Sequence, residues 1–306
     1  MKKILISDSI GQSGIEFLKG KGLDVVYMPD ITEEQLLSEI GNYDGVIVRS
    51  RTKVTAEIIA AGKNLKVIGR AGSGLDTIDV EAAKKAGVRV VNAAGANSQS
   101  VAEHTMALIL ALFRNLIPVA SALKNGTWEK KTYKAVDLAG KTIGIVGFGS
   151  IGSKVAVVAR GFGMKILVTT RSETPEKKQL LDAVGGAFVP LEKLLKDADI
   201  VTLHVPKSGE TVAMIGAKEL ASMKKTAFLI NCSRGGVVDE KALIDALQKG
   251  IISGAGLDVF SVEPLPQDSD LLSLSNVILT PHIAASSVES RERTSLAVAQ
   301  EVAKLL

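Results

Sequence analysis

Three side chains in the second half of this sequence could together move a proton next to a carboxylate. They are His282 in LTPHIAASS, Glu263 in DVFSVEPLP and Arg234 in LINCSRGG. A histidine can take the proton of a hydroxyl near neutral pH, and a carboxylate beside it fixes its tautomer and favours its protonated form. A guanidinium holds a carboxylate or polarises a carbonyl with its planar fork. Each residue follows an apolar run that reads as a strand. Gly235 and Gly236 let a ligand approach the backbone next to Arg234. Singly, Arg234 could make a surface ion pair, Glu263 could be a loop carboxylate and His282 a turn residue. Three complementary groups at the ligand-binding ends of strands point to a site. The chain has 3 histidines. His104 sits in a long apolar run as a core or interdomain histidine, and His204 ends DIVTLHV before Pro206, lining a crevice without acid-base duty.

A second constellation binds phosphate. Residues 143 to 152 read IGIVGFGSIG, a strand running into Gly147, Gly149 and Gly152, with a helix opening at Ser150 and Ile151. Such glycines permit a tight turn, close approach of backbone to a pyrophosphate and close helix-strand contact, while the helix N-terminus offers free N–H groups. The pattern predicts a dinucleotide site, and with it hydride transfer to or from a hydroxyl-bearing carbon. About twenty residues on, NAD sites carry an Asp or Glu for the ribose hydroxyls. Here the strand tip reads Thr170, Arg171, Ser172. With no repelling carboxylate and a cation at hand, NADP(H) is expected to be accepted and favoured, NAD(H) remaining possible. The alternative is an Arg171 left in solvent, paired with Glu173.

These groups need scaffolds. From the N-terminus, KILIS, DVVYM, GVIVRS, KVIGRAG and VRVVNA alternate with helical patterns, which predicts a parallel sheet covered by helices. After an apolar run from Val101 to Leu123, read as one buried helix, and the polar stretch KNGTWEKKTYKAVDLAGKT, the alternation restarts with TIGIVGFG and continues through MKILVTT, ADIVTLHV, AFLINCS, GAGLDVF and NVILTP. The closing helical segment SVESRERTSLAVAQEVAKLL has no strand after it, and packs back on the first unit in this reading. The expected fold is α/β: two tandem doubly wound parallel-sheet domains, Rossmann- or flavodoxin-like, with a cleft between them. Residues 1–97 with 286–306 form the substrate-binding domain, and 98–285 the dinucleotide-binding domain.

Composition sets limits. With 306 residues, 46% hydrophobic and 23% charged, the chain is long enough for two cores. Lysine plus arginine number 37 against 33 acidic residues, an excess too small to imply nucleic acid. The charges inside the longest apolar run argue against a membrane span. The lone Cys232 excludes an internal disulfide and a cysteine-based metal site, and no metal is expected. With no signal peptide at the start, a reducing cytoplasm is expected.

The order and spacing of GFGSIG, LHVP, NCSRGGVVDEKALIDAL, GAGLDVFSVEPLP and LTPHIAASS resemble the D-isomer-specific 2-hydroxyacid dehydrogenases across essentially the whole chain. VRSRTKVTAEII, GRAGSGLDTIDVEAAKKAGVRVVNA, NSQSVAEHTMALILALFRN and LKNGTWEKK look like the phosphoglycerate dehydrogenase branch. The resemblance implies that Arg234, Glu263 and His282 are the catalytic trio. It implies that Gly72, Ser73 and Gly74 offer N–H groups to a substrate carboxylate and that Asn97 begins the crossing between domains. Asp258 would accept from the nicotinamide carboxamide, and His204, Val205, Pro206, Cys232, Ser233 and Ala284 would line the nicotinamide cleft. Arg49, beside Ser50 in VRSRT, is the choice for a substrate phosphate over Arg51 and Arg114. HIAASS departs from the commoner HIGAS by a methyl at Ala284. The chain stops at Leu306, so a C-terminal regulatory domain is expected to be absent. A homodimer built on the dinucleotide domains is also implied.

The expected activity is oxidation of D-3-phosphoglycerate to 3-phosphohydroxypyruvate, the first step of serine biosynthesis, on a small anionic 2-hydroxy acid. The alternative is an NADPH-dependent glyoxylate or hydroxypyruvate reductase using the same trio on a 2-keto acid. A third reading is a nicotinamide-sensing protein without turnover.

Overall fold

The β-branched runs form parallel strands whose near-continuous apolar character follows from helices covering both faces. The computed structural model describes residues 1–128, 130–131 and 133–306. Glu129 and Thr132, within the polar stretch after the long apolar run, lie outside the described residues. Contacts divide the chain into one unit of Met1–Asn97 with Ala285–Leu306, and another of Ser98–Ala284.

The first unit carries β1 (Lys3–Ile6), β2 (Asp24–Tyr27), β3 (Gly45–Val48), β4 (Val67–Arg70) and β5 (Arg89–Asn92), hydrogen-bonded in the order β2-β1-β3-β4-β5. Its connecting helices are α1 (Gln12–Gly20), α2 (Glu33–Glu39), α3 (Ala56–Ala61) and α4 (Val80–Lys85). All pairings are parallel. Ile4, Ile47, Val67, Val298 and Val302 meet in one core layer, and Leu5, Val46, Ile58 and Ile68 in another. The closing segment belongs here and packs on α1 and β4. A Cβ on Gly69 would lie 2.6 Å from Val302 Cγ2, so the glycine sets how closely that segment approaches the sheet.

The second unit opens with α5 (Ser98–Phe113) and α6 (Leu116–Lys124). Its strands are β6 (Thr142–Val146), β7 (Lys165–Thr169), β8 (Ala187–Phe188), β9 (Ile200–Leu203), β10 (Phe228–Asn231), β11 (Gly254–Leu257) and β12 (Val277–Leu279), in the order β12-β11-β10-β9-β6-β7-β8. Its helices α7 (Ser150–Gly161), α8 (Pro175–Ala183), α9 (Leu191–Asp197), α10 (Ala217–Ser222) and α11 (Glu240–Gln248) connect the strands, and α12 (Val288–Ala303) is the closing helix of the first unit. The chain leaves β6 towards β7 and β8, then returns to build the other side from β9, so the order reverses between β6 and β9. In doubly wound sheets such a reversal marks the C-terminal strand ends as the ligand-binding edge.

One expectation needs correcting. The apolar run from Val101 to Leu123 is two helices, bent by 65° where Asn115 adopts a left-handed conformation with φ 45°. Asparagine tolerates that conformation better than most residues, and Pro118 fits the first turn of the new helix, whose N–H groups lack intrahelical partners. α6 buries none of its residues, so only the first half of the run is a buried helix. Among the described residues, no single helix is long and apolar enough to cross a membrane.

Candidate active site

His282 stands on a loop that leaves β12 and is tied down by the tip of β11. Asp258, fully buried, accepts from the Thr280 hydroxyl at 2.6 Å, the Ile283 N–H at 2.9 Å and the Ala284 N–H at 2.8 Å. His104 reaches the same point from α5, its Nε2 3.1 Å from Thr280 Oγ1 and 3.6 Å from Asp258 Oδ1. These bonds hold His282 at φ 53°, a left-handed conformation that costs free energy for a residue other than glycine. Asp258 therefore serves the loop, while Oδ2 keeps a lone pair for a further donor.

Glu263 lies on the loop after β11. Its Oε1 accepts the Phe260 N–H at 3.0 Å and its Oε2 lies 2.7 Å from His282 Nδ1. An ionised carboxylate only accepts, so the histidine proton sits on Nδ1 and Nε2 presents a lone pair. The His282 side chain is 48% exposed, leaving Nε2 open to a reactant.

Arg234 follows β10, the neighbouring strand. Asn231 stitches its turn, accepting from the Ser233 N–H at 3.0 Å and hydroxyl at 2.7 Å, and donating to the Arg234 carbonyl at 3.1 Å. The half-buried guanidinium donates to the Ser233 carbonyl at 2.7 Å. A Cβ on Gly235 would lie 1.6 Å from the Phe260 carbonyl oxygen, so the Arg234 turn presses directly on the segment that presents Glu263. The structure thus pairs Glu263 with His282 and sets Arg234 at an adjacent strand end.

The phosphate turn fits a dinucleotide. Gly147 has φ 96°, and a Cβ there would lie 2.4 Å from the His204 carbonyl oxygen; one on Gly152 would lie 2.1 Å from the Gly147 carbonyl oxygen. Beside Gly149 there is open space, and α7 begins there with Ser150 and Ile151 and no side-chain cap. The cradle is shaped by the glycines, and the first-turn N–H groups face it.

His204 ends β9, its Nε2 3.0 Å from Thr202 Oγ1. Desolvation pushes it down to about 3, so the ring stays neutral at any working pH. Cys232 is buried and its thiol is pushed up to about 12, mainly by burial, which leaves it protonated and unreactive. Ser233 and Ala284 are also buried, while Val205 is half-buried and Pro206 exposed on the loop after His204.

At the tip of β7, Arg171 does not turn towards Thr170. Its guanidinium reaches Glu210 at 3.3 Å, and the two side chains are 88% and 74% exposed. The partner is Glu210 rather than Glu173. A different cation, Lys177, meets Thr170 and Ser172.

In the first unit, Arg51 donates to the carbonyls of Ile31, Ser7 and Pro29 and pairs with Asp8 at 3.2 Å, so its hydrogen bonds are spent on the fold. The Arg49 backbone binds Asp8, while its half-buried guanidinium is held below its ordinary pKa by burial and then by the like charge of Arg291, against the pull of Asp8. Ser50 is exposed. The Gly72 N–H already donates to the Arg70 carbonyl at 2.8 Å. Among the described residues, the Ser73 and Gly74 N–H groups have no partner, and Asn92 and Asn97 brace Ser73 at 2.6 and 2.7 Å. Arg114 is exposed. A cavity of about 600 Å³, lined by Phe113, Ile117, Pro118, Phe228 and Asn276, opens at the N-terminal strand ends, opposite the trio.

Residues 106–284 match the family model described as D-isomer specific 2-hydroxyacid dehydrogenase, NAD binding domain. A D-3-phosphoglycerate dehydrogenase of Synechocystis sp. is 44% identical over 306 residues, covering 100% of this chain and 54% of that protein. This chain thus spans about half the length of that relative. A hydroxypyruvate reductase of Thermotoga maritima is 41% identical, covering 99% of this chain and 98% of that protein. Among solved structures, a glyoxylate reductase from Paecilomyes thermophila superposes with a TM-score of 0.88 at 31% identity, covering 98% of this chain and 94% of that one.

Proposed function

This chain belongs to the D-isomer specific 2-hydroxyacid dehydrogenase family, and on that premise we propose that it oxidises D-3-phosphoglycerate to 3-phosphohydroxypyruvate. The observation that carries the reading is the contact of Glu263 Oε2 with His282 Nδ1 at 2.7 Å, which leaves Nε2 as an exposed base. Arg234 holds the substrate's C1 carboxylate and C2 oxygen by its planar fork. His282 Nε2 takes the C2 hydroxyl proton as the C2–H electron pair departs, and Glu263 offsets the charge then borne by the imidazolium. The nicotinamide, when bound, supplies the hydride acceptor. Gly147, Gly149 and Gly152 would receive the pyrophosphate, with the first-turn N–H groups of Ser150 and Ile151 as donors. Val205, Pro206, Cys232, Ser233 and Ala284 would exclude water around the nicotinamide end, and the buried Asp258, which holds the Ile283 and Ala284 N–H groups, would set the loop against it. In the first unit, the Ser73 and Gly74 N–H groups and Asn97 serve the carboxylate, and Arg49, beside Ser50, serves the phosphate.

NADP(H) is the favoured cofactor in this reading, supported by a strand tip that carries hydroxyls and a cation in place of a carboxylate. A homodimer accompanies it, supported by α6, where Leu116, Ile117 and Leu123 are 57%, 51% and 56% exposed. The cytoplasmic setting rests on a lone, buried, unpaired cysteine. The second reading, reduction of hydroxypyruvate or glyoxylate, is favoured by the Thermotoga maritima relative, which matches nearly end to end. The deciding experiment is a panel of D-3-phosphoglycerate, hydroxypyruvate and glyoxylate with both cofactors, read at the nicotinamide absorbance. A kcat/KM for D-3-phosphoglycerate above those of the two keto acids is expected. Efficient turnover of the keto acids alone would favour the reductase.

A further inference from the structure

The cation that meets the strand tip comes from the following helix. Thr174 caps α8, Pro175 opens it, and Lys177 is the third residue inside, its backbone N–H donating to Thr174 Oγ1 at 3.4 Å. This is where a Glu or Gln reaches back in a capping box, and where the helix dipole disfavours positive charge. Lysine at this position is therefore unexplained by helix stability. Its side chain folds back over the cap instead, Nζ donating to Thr170 Oγ1 at 3.2 Å, Ser172 Oγ at 3.2 Å and the Ser172 carbonyl at 2.9 Å.

Two features make this more than a surface lysine. Lys177 and Thr170 are half-buried, and among the described residues no carboxylate pairs with the ammonium, whereas Arg171 is in solvent on Glu210. The Thr170 and Ser172 hydroxyls accept from Lys177, which leaves the hydrogen of each free to donate. A cation flanked by two hydroxyl donors complements a phosphate monoester. The position is also right. The Gly147 N–H of the phosphate turn donates to the Thr169 carbonyl at 2.8 Å, so Thr170 starts one residue beyond the dinucleotide cradle, where the adenosine ribose is held in this fold.

We infer that Lys177, with Thr170 and Ser172, is the group that selects a 2′-phosphorylated adenine nucleotide, and that Arg171 is not. This rests on the reading that the chain favours NADP(H) and assigns that preference to a residue. The test is calorimetric binding of 2′,5′-ADP and 5′-ADP to the whole protein, with no turnover involved. Wild type binds 2′,5′-ADP about tenfold or more tighter than 5′-ADP, the size of one charge-assisted contact. Lys177→Met abolishes that advantage with 5′-ADP unchanged within about twofold, Lys177→Arg restores most of it, and Arg171→Ala keeps it within about threefold. A wild type that binds both nucleotides equally overturns the NADP(H) preference and this assignment together. A preference that survives Lys177→Met, or is lost in Arg171→Ala instead, overturns the Lys177 assignment alone. Equal weakening of both nucleotides in Lys177→Met would mark a merely structural lysine and overturn it too.

Discussion

Replacing Asp258 with asparagine probes how His282 is held. The carboxylate accepts three donors, Thr280 Oγ1 and Ile283 N on one oxygen and Ala284 N on the other, and it is fully buried. Asparagine keeps only one acceptor oxygen. In the less costly orientation that oxygen stays with Thr280 and Ile283, and the new amide group faces the Ala284 N–H donor to donor. The lost bond was to a charged acceptor, so the cost is about 1.5–3 kcal/mol. In a domain of about 150–250 residues this lowers Tm by about 3–12 °C, at about 2–4 °C per kcal/mol. His282 sits at φ 53°, a conformation kept only while its neighbours are pinned, so turnover falls as well. A displacement of about 1 Å is enough for a loss of about 10²-fold. Thermal melting by circular dichroism and steady-state kinetics on one preparation read both effects. Wild-type Tm together with wild-type kcat would refute the view that Asp258 anchors the loop.

Gly235→Ala sets a methyl against the Phe260 carbonyl, 1.6 Å away before relaxation, and so separates the Arg234 turn from the Glu263 segment; kcat/KM is expected to fall by at least about tenfold, and unchanged kinetics would show that the two segments are not coupled. Arg49→Ala is expected to weaken D-3-phosphoglycerate by about 1.5–3 kcal/mol in kcat/KM while barely changing glyoxylate, which lacks a phosphate; equal losses on both would remove Arg49 from the phosphate role. The His204 pKa is lowered from 6.5 to about 3, so in that window the unfolded chain binds a proton that the folded one does not. Its contribution to stability is present above pH 6.5 and lost as pH falls towards 3. Denaturant melts of His204→Gln should therefore show a shallower fall over that window, and an unaltered slope would contradict the neutral assignment.

The fold could be read because parallel strands covered on both faces write themselves as apolar runs, and because each run here is punctuated by glycine, proline or a cap. His282 and Glu263 could be picked out for the same reason, each following a strand in one parallel sheet. What could not be read depends on where side chains turn after a strand or cap. The apolar pattern runs unbroken through Leu116 and Ile117, and nothing in hydrophobicity marks the left-handed Asn115 that splits it and exposes α6. Arg171 looked like the tip's cation because it is adjacent in sequence, yet the ammonium that arrives is Lys177, brought back by the Thr174 cap. A positive residue three places inside a capped helix start, against the dipole, was the available signal. The spending of the Gly72 N–H on Arg70, and of Asp258 on both sides of the loop that bears His282, appears only once three-dimensional hydrogen bonds are counted.

The account turns on His282 as the base for a 2-hydroxy acid, and oxidation of D-3-phosphoglycerate by wild type and His282→Ala tests it most directly. The account predicts nicotinamide reduction by wild type, and a kcat lower by about two to four orders of magnitude in the variant. The variant's affinity for 2′,5′-ADP should be unchanged, since the phosphate turn and strand tip lie on other strands. Near-normal turnover by His282→Ala would contradict it.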